Sequence, residues 1–308
     1  LPMLALVAGI LGLLWGADRF VAGSAGAARN FGISAMVIGL TLVSVGTSAP
    51  EIIVSINAAL SDAGEMAVGN ALGSNLANIG LVLGITALVA PLPVQRHLLK
   101  EESPVLLLVT ALAGLCLYDG FLRRGESIAL TLLVIPLLIL IVKYKKNHPN
   151  PAALEEAEDI PDLSMATSAL WFFAGLAVLL VSAKVTVWGA QSIAIYFGVS
   201  QLIIGLTVVA IGTSLPELAA SVMSALRGHH DIALGNIFGS NLFNLMLVMT
   251  SAGAIAPVAL SPDVFARDYA AMAMTTLLMI VLVALALRRS TAPTVDWRSA
   301  SVTVLVKT

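Results

Sequence analysis

The sequence is short of charge and of cysteine. Only 11% of its 308 residues are Asp, Glu, Lys or Arg, whereas a soluble domain carries about 25%. The single cysteine, Cys116, excludes a disulfide within the chain. A net charge of −2 offers no basic surface for nucleic acid. The shortage of charge therefore indicates a chain that is largely surrounded by lipid.

Long apolar segments take the place of the missing charge. Apolar residues make up 58% of the sequence, and stretches with almost no charge occur at 104–118, 128–142, 169–183 and 270–287. A helix that crosses a bilayer needs about 20 predominantly apolar residues, and it satisfies its own backbone polar groups in hydrocarbon. The predicted fold class is all-α integral membrane. The N-terminal segment 1–17 has no basic region, so we interpret it as the first span rather than a secretory signal.

The chain contains an internal repeat at an offset of 166 residues. Residues 39–91 match residues 205–257 without a gap at 24 of 53 positions. The matched positions include two polar motifs, Gly-Thr-Ser-x-Pro-Glu and Gly-Asn-x-x-Gly-Ser-Asn, which begin at 46 and 69 and again at 212 and 235. Unrelated apolar helices do not share polar residues in register, so the pattern indicates a duplication.

Each repeat is predicted to contain five spans. In the first they lie at about 2–27, 33–60, 66–90, 103–119 and 126–143, and in the second at about 168–193, 199–226, 232–257, 268–287 and 294–308. Because five is odd, the second repeat enters the membrane from the opposite side, which makes the repeats inverted. An outside N-terminus places ten Lys and Arg residues in cytoplasmic loops and three outside, as the positive-inside rule requires.

The predicted domains are therefore a first five-helix repeat at 1–143, a cytoplasmic linker at 144–167 and a second, inverted repeat at 168–308. The linker contains an acidic run, 155–159, and a short cytoplasmic loop contains His229, His230 and Asp231. A regulatory calcium site in the linker and a metal site in the loop are conceivable, but solvated segments are the favoured interpretation of both.

Two glutamates, Glu51 and Glu217, lie in the middle of predicted spans at equivalent positions of the two repeats. A carboxylate there is costly unless it faces a cavity or a partner, and neither helix has a nearby Lys or Arg. Two such acids in an inverted repeat are expected to converge near the bilayer midplane. They could hold a divalent cation, monovalent cations or protons; two protonated acids bonded to helix carbonyls are the alternative.

Oxygen donors surround both glutamates in the sequence. Pro50 and Pro216 cannot complete the helix hydrogen bonds, so breaks are expected to free carbonyl oxygens at 44–47 and 210–213. Thr47 lies one turn before Glu51. Polar residues at four-residue steps share one face of the next span in each repeat, namely Asn70, Ser74 and Asn78, and Asn236, Ser240 and Asn244. A donor set without His or Cys suits Ca²⁺ or Na⁺.

At these motifs the sequence resembles the cation/calcium exchanger superfamily, and the signature covers about 110 residues. The resemblance implies the sodium/calcium exchanger fold, in which the second, third, seventh and eighth spans surround the ions and the first and sixth slide. By position, Glu51 and Glu217 are similar to the calcium-bridging acids of the family. The residues that resemble its sodium ligands and remaining lining positions are Thr47, Ser48, Thr213, Ser214, the carbonyls of Ser44 and Ala210, and Ser74, Asn78, Ser240 and Asn244.

The resemblance implies Na⁺/Ca²⁺ antiport by alternating access, with Ca²⁺ and Na⁺ as substrates, no cofactor and no obligatory protein partner. Many sodium/calcium exchangers and the potassium-dependent ones have an aspartate where this chain has Asn78 or Asn244, which makes potassium co-transport less expected. The glutamate typical of the cation/proton branch is absent at Gly73 and Gly239. A Ca²⁺/H⁺ exchanger is the nearest alternative. The short linker resembles prokaryotic members, so a prokaryotic cytoplasmic membrane is expected.

Two other classes are considered. A cation channel would use the acids as a selectivity element and would need no counter-ion. An enzyme is disfavoured because the sequence offers no nucleophile–base pair or His cluster.

Two packing expectations remain. The Gly69/Gly73 and Gly235/Gly239 pairs are expected to let helices approach closely. Asp18 of the first span could pair with Lys184, which occupies the equivalent position, but snorkelling of these charges toward the membrane interface is the favoured interpretation.

Overall fold

The structure is a computed structural model, and it describes residues 1–147, 163–204, 207–208 and 210–289. The predicted last span at 294–308 and the acidic run at 155–159 lie outside the described residues.

The described chain consists almost entirely of helix. The α-helices of the first half are Pro2–Phe31, Ala35–Ile38, Ser44–Thr47, Ala49–Leu60, Gly64–Ala77, Gly84–Val89, Ser103–Leu117 and Arg124–Asn147. Those of the second half are Met165–Tyr196, Gln201–Ile204, Ala210–Thr213, Leu215–Leu226, His230–Phe243, Met249–Ile255 and Ala270–Arg289. The two short strands, Phe121–Leu122 and Val258–Ala259, pair in antiparallel orientation. They are a small addition to the predicted all-α fold.

Six helical segments in the described ranges are long and apolar enough to cross a membrane: Pro2–Phe31, Gly64–Val89, Arg124–Lys145, Met165–Tyr196, His230–Ile255 and Val264–Arg288. The bent pair Ala35–Thr47 and Ala49–Leu60 makes a seventh if it counts as one span. The predicted span at 103–119 is α-helical at Ser103–Leu117 and continues directly from the π-helical turn Leu98–Glu102, but this helix is not among the six. An all-helical membrane fold is thus confirmed, while the count of ten spans is only partly matched.

The predicted helix breaks occur at the two Thr-Ser-x-Pro-Glu motifs. Ser48 has φ −81° and ψ 5°, and Ser214 has φ −88° and ψ 5°, so both leave the α-helical region in the same way. Each serine stands two residues before a proline, which has no backbone N–H to donate to the carbonyl four residues earlier. A new helix then starts, at Ala49 and at Leu215, and carries the glutamate in its first turn.

Five π-helical segments have both ends within the described residues, and the sequence did not predict them. They are Gly39–Val43, Asn78–Leu83, Leu98–Glu102, Asn244–Val248 and Val264–Tyr269. Two of them begin at Asn78 and Asn244, which are equivalent positions of the repeat. Short π segments are rare and occur frequently at functional sites.

Contacts divide the chain into two compact units. Unit 1 consists of Leu1–Pro50 and Val142–Asn236, and unit 2 consists of Glu51–Ile141 and Ile237–Thr308. Each unit therefore takes segments from both sequence repeats. The predicted domains, two repeats and a linker, describe the sequence duplication rather than these compact units, and they stay a prediction.

Unit 1 is built on the two long helices Pro2–Phe31 and Met165–Tyr196. Their backbones approach closely at glycines; a Cβ placed on Gly16 would lie 2.7 Å from the amide nitrogen of Leu179. Phe20 and Phe172 pack beside this contact with ring centroids 5.0 Å apart. Small residues at such positions let helix backbones meet where lipid offers no hydrophobic drive for association.

In unit 1 Asp18 pairs with two arginines rather than with Lys184, the partner considered from the sequence. Arg227 donates from Nε to Asp18 Oδ1 at 2.6 Å, and Arg19 Nε lies 3.8 Å from Asp18 Oδ2. The Arg19 guanidinium also lies 4.5 Å from the ring centroid of Trp171. The helix that precedes Arg227 packs against the first helix, and this packing, rather than the register of the repeat, selects the partner of Asp18.

Unit 2 joins its helices by side-chain hydrogen bonds as well as by the strand pair. Tyr269 donates to the Thr110 carbonyl at 2.9 Å, and the hydroxyls of Thr131 and Thr250 lie 2.7 Å apart. Arg124 donates to the Ile255 carbonyl at 2.6 Å. These hydrogen bonds satisfy polar groups whose burial among apolar helices would otherwise cost free energy.

The two glycine pairs differ in their surroundings. A Cβ on Gly235 would lie 2.6 Å from the Met36 carbonyl oxygen and 2.8 Å from the Leu40 nitrogen, so this glycine permits a close helix contact within unit 1. A Cβ on Gly69 or Gly73 would have no described atom within 4 Å. The packing expectation is therefore correct for Gly235 and wrong for Gly69 and Gly73.

Replacing Gly235 by alanine is expected to lower the free energy of unfolding by about 1–3 kcal/mol, because the added methyl group forces two backbones apart. Gly69→Ala, at the equivalent position of the first repeat, is the matched control and should leave stability unchanged or slightly raised. Thermal unfolding of the purified variants in detergent measures both. Equal destabilisation by the two substitutions would contradict the difference in packing.

Candidate ion-binding site

Glu217 is a buried carboxylate in unit 1. It stands in the first turn of Leu215–Leu226, directly after Pro216, and only 2% of it is exposed. Ser48 Oγ donates to its Oε1 at 3.1 Å, whereas Oε2 has no hydrogen-bond partner among the described residues. No Lys or Arg of the described residues forms an ion pair with Glu217. The second oxygen is thus available to a cation.

Asn236 fixes the backbone beneath Glu217. Its side-chain amide donates to the Glu217 carbonyl at 3.3 Å and to Ser221 Oγ at 2.9 Å, and its Oδ1 accepts from Thr47 Oγ1 at 3.1 Å. All of these residues belong to unit 1, and Thr47, Ser221 and Asn236 are fully buried. One asparagine therefore connects three helical segments around the acid.

Unit 2 repeats this construction around Glu51, which is also 2% exposed. The Asn70 amide donates to the Glu51 carbonyl at 3.4 Å and to Ser55 Oγ at 3.3 Å. Asn70, Glu51 and Ser55 each precede their counterparts Asn236, Glu217 and Ser221 by 166 residues. The duplication has preserved a support for the acid, not only the acid itself.

A second group of buried oxygens lies in unit 2. Ser74, Asn78, Ser240 and Asn244, all predicted lining residues, are buried there. Ser240 Oγ and Asn244 Oδ1 have no hydrogen-bond partner in the described chain. Buried polar atoms almost always have a partner, so these oxygens are candidates for binding an ion or water.

Asn75 and Asn241 were not singled out as site residues from the sequence. The Asn75 amide donates to the Asn241 carbonyl at 3.2 Å and thereby joins two helices of unit 2. The Oδ1 atoms of both asparagines are buried, and the described chain offers neither of them a hydrogen bond. Their place in the repeated Gly-Ser-Asn motif was the signal that could have found them.

The remaining predicted ligands lie at the helix breaks. The Ser44 carbonyl accepts from the Ser48 amide at 2.9 Å and lies 3.3 Å from Thr47 Oγ1, so helical bonding continues up to Ser48. A carbonyl oxygen has a second lone pair, and its role as a sodium ligand stays a prediction. Ala210 and Thr213 bound the short helix of the second break, and Ser214 follows it.

The donor set is chemically uniform. Carboxylate, hydroxyl, amide and carbonyl oxygens supply it, without imidazole or thiolate. Hard cations such as Ca²⁺ take six to eight oxygen ligands of these kinds. The donors around each of the two acids are therefore suited to Ca²⁺ or Na⁺ and unsuited to softer metals.

Comparison with known proteins agrees with this chemistry. The sequence model of the family described as "Sodium/calcium exchanger protein" matches residues 1–145 and 167–306. The chain belongs to this family. Its members are transporters, and the exchanger fold predicted from the two signature motifs is thereby confirmed.

Individual relatives cover nearly the whole chain. CaxA of Alkalimonas amylolytica, an antiporter by name, is 46% identical over 90% of this chain and 88% of its own length. The inner membrane protein YrbG of Escherichia coli is 40% identical over 94% of this chain and 89% of its own length. The solved structure of the sodium-calcium exchanger NCX_Mj soaked with zero Na⁺ and Ca²⁺ is 33% identical, with a TM-score of 0.80 over 92% of this chain and 90% of that one.

The asparagine supports of the two acids are expected to differ in strength. Asn236→Ala removes three hydrogen bonds in a fully buried setting and should cost about 1–3 kcal/mol, because it leaves its partners unsatisfied. Asn70→Ala, the matched variant of the other repeat, removes two longer bonds of a half-buried side chain and should cost less. Thermal unfolding in detergent compares the two. A larger loss for Asn70→Ala would contradict the geometry.

Proposed function

We propose that this protein exchanges Na⁺ for Ca²⁺ across the membrane by alternating access. The observation that carries the proposal is the duplicated construction around Glu51 and Glu217. Each is a buried glutamate whose carbonyl accepts from an asparagine, which also bonds a serine one turn further on. Two such acids inside a membrane need compensating positive charge, and a transported cation supplies it.

In this mechanism one Ca²⁺ binds the carboxylates of both glutamates, which the inverted repeat is expected to bring together. Na⁺ ions bind beside them at the oxygens of the two helix breaks, supplied by Ser44, Thr47, Ser48, Ala210, Thr213 and Ser214. Ser74, Asn78, Ser240 and Asn244 complete the lining. Because Na⁺ and Ca²⁺ compete for the same two charges, one load leaves as the other binds.

Exposure of the ions to each side in turn requires a moving element. The two long helices of unit 1, Pro2–Phe31 and Met165–Tyr196, correspond to the first and sixth predicted spans, which slide in the proposed cycle. Glycines lie where these two helices touch, so no side chain projects from those positions into the interface. Transport is coupled only if the bound ions stabilise one orientation of the protein over the other.

The protein is an integral membrane protein, as its family is. We place it in a prokaryotic cytoplasmic membrane, with the N-terminus outside and the 144–167 linker in the cytoplasm. The name of the relative YrbG, an inner membrane protein, and the distribution of Lys and Arg support this placement.

Removing either carboxyl charge is expected to abolish exchange. In proteoliposomes loaded with Na⁺, Glu51→Gln and Glu217→Gln should each reduce initial ⁴⁵Ca uptake at least roughly tenfold, the effect of about 1.4 kcal/mol of lost ion binding. Glu126→Gln, an acid that pairs with Arg123 on the exposed surface, is the control and should transport normally. Normal uptake by either site variant would remove the proposed site.

The driving ion is decided by imposing Na⁺, K⁺ and pH gradients one at a time on the wild-type vesicles. Only the Na⁺ gradient should drive uptake. Uptake that follows the pH gradient without Na⁺ would identify a Ca²⁺/H⁺ exchanger instead. Uptake that needs no counter-ion at all would identify a channel.

A further inference from the structure

Three metal-ligating side chains meet in unit 2 at positions that the proposed transport site does not use. They are His97, Glu101 and Glu102, and one ligand atom from each lies within 4.8 Å of the other two. His97 Nδ1 lies 3.1 Å from Glu102 Oε2. The cluster lies in the connection between Gly84–Val89 and the apolar helix Ser103–Leu117.

A π-helical turn brings the three residues together. In an α-helix the fourth residue after His97 would share its face, but the fifth would lie about 140° further round the axis. Leu98–Glu102 is π-helical, and the Ser103 amide closes it by donating to the Leu98 carbonyl. The wider i→i+5 turn leaves both glutamates beside the histidine. The Ser103 hydroxyl adds a 2.7 Å bond to the same carbonyl and stabilises this turn.

Burial distinguishes the cluster from a chance group of surface charges. His97 is 8% exposed and Glu102 is 4% exposed, and Glu101 is half-buried. Ionisable side chains are seldom buried unless they are paired or bind a metal. A protonated His97 paired with Glu102 is the simplest alternative to a metal, and it makes a different prediction.

The donor chemistry differs from that of the transport site. Imidazole nitrogen with two carboxylates is a set that Zn²⁺ and neighbouring transition metals take, whereas Ca²⁺ prefers oxygen alone. Around tetrahedral Zn²⁺, with ligands at about 2.0–2.2 Å, ligand atoms lie about 3.4 Å apart. His97 and Glu102 are already close enough, and the most widely separated donors would have to approach by up to about 1.4 Å, which side-chain rotation can supply.

We propose that His97, Glu101 and Glu102 bind one divalent transition-metal ion, of which Zn²⁺ is the best fit, with water completing the coordination. The bound ion would hold the turn that leads into Ser103–Leu117. It is separate from the exchanged ions, so the site exists whether or not the protein couples Ca²⁺ to Na⁺.

Co²⁺ titration tests the site, since its visible absorption reports nitrogen and oxygen ligation and the ion substitutes for Zn²⁺. The full chain, purified in detergent without a histidine tag, is kept in saturating Ca²⁺ so that the transport acids are occupied. One Co²⁺ should bind per chain and be displaced by Zn²⁺. His97→Gln and Glu102→Gln should each weaken binding by at least roughly 10- to 100-fold, the loss seen even for indirect partners of metal ligands.

Two further variants keep the result decisive. His230→Gln removes a histidine next to Asp231 in the other candidate loop and should leave Co²⁺ binding unchanged. Glu101→Gln, at the least buried position, replaces any buried variant that fails to give monodisperse protein, and should weaken binding in the same way. If the wild-type protein binds Co²⁺ no more tightly than His97→Gln, the cluster is a simple ion pair. If only His230→Gln loses Co²⁺ binding, the metal lies elsewhere. Either result overturns the proposal.

Discussion

A carboxylate buried among apolar helices needs hydrogen-bond donors and a cation that compensates its charge. This constraint explains the arrangement around Glu217. Its Oε1 accepts from Ser48, its carbonyl is held by Asn236, and its Oε2 is left without a bond in the described chain. Full satisfaction by protein groups would remove any need for an ion, and no support at all would make burial prohibitive. Within the described chain the carboxylate of Glu217 is hydrogen-bonded through one oxygen and not through the other, and this partial satisfaction suits a site that must release its cation.

The helix irregularities follow from the same requirement. A continuous α-helix uses its own carbonyls and presents few oxygens to a ligand, so a cation site inside a membrane protein needs breaks or widened turns where the backbone lines a cavity. Ser48 and Ser214 provide breaks of nearly identical backbone geometry, and π turns begin at Asn78 and Asn244. In each repeat a break comes before the acid and a π turn follows the polar face of the next span.

The sequence was informative wherever chain chemistry acts locally. Apolar length predicted the helices, Pro50 and Pro216 predicted the breaks, and the duplicated polar motifs predicted the exchanger family. It was uninformative where long-range packing decides: Asp18 pairs with Arg227 rather than Lys184, and Gly69 has no described atom within 4 Å although Gly235 is tightly packed. The π turns have no residue code comparable to proline's, so the His97 cluster became visible only in three dimensions.

Anomalous diffraction from crystals soaked in Sr²⁺, a heavier analogue of Ca²⁺, tests the central claim most directly. The account predicts one strong peak bound by the carboxylates of both Glu51 and Glu217, which weakens as Na⁺ is added to the soak. Carboxylates that instead bond to Lys or Arg, or a peak that touches neither glutamate, would contradict it.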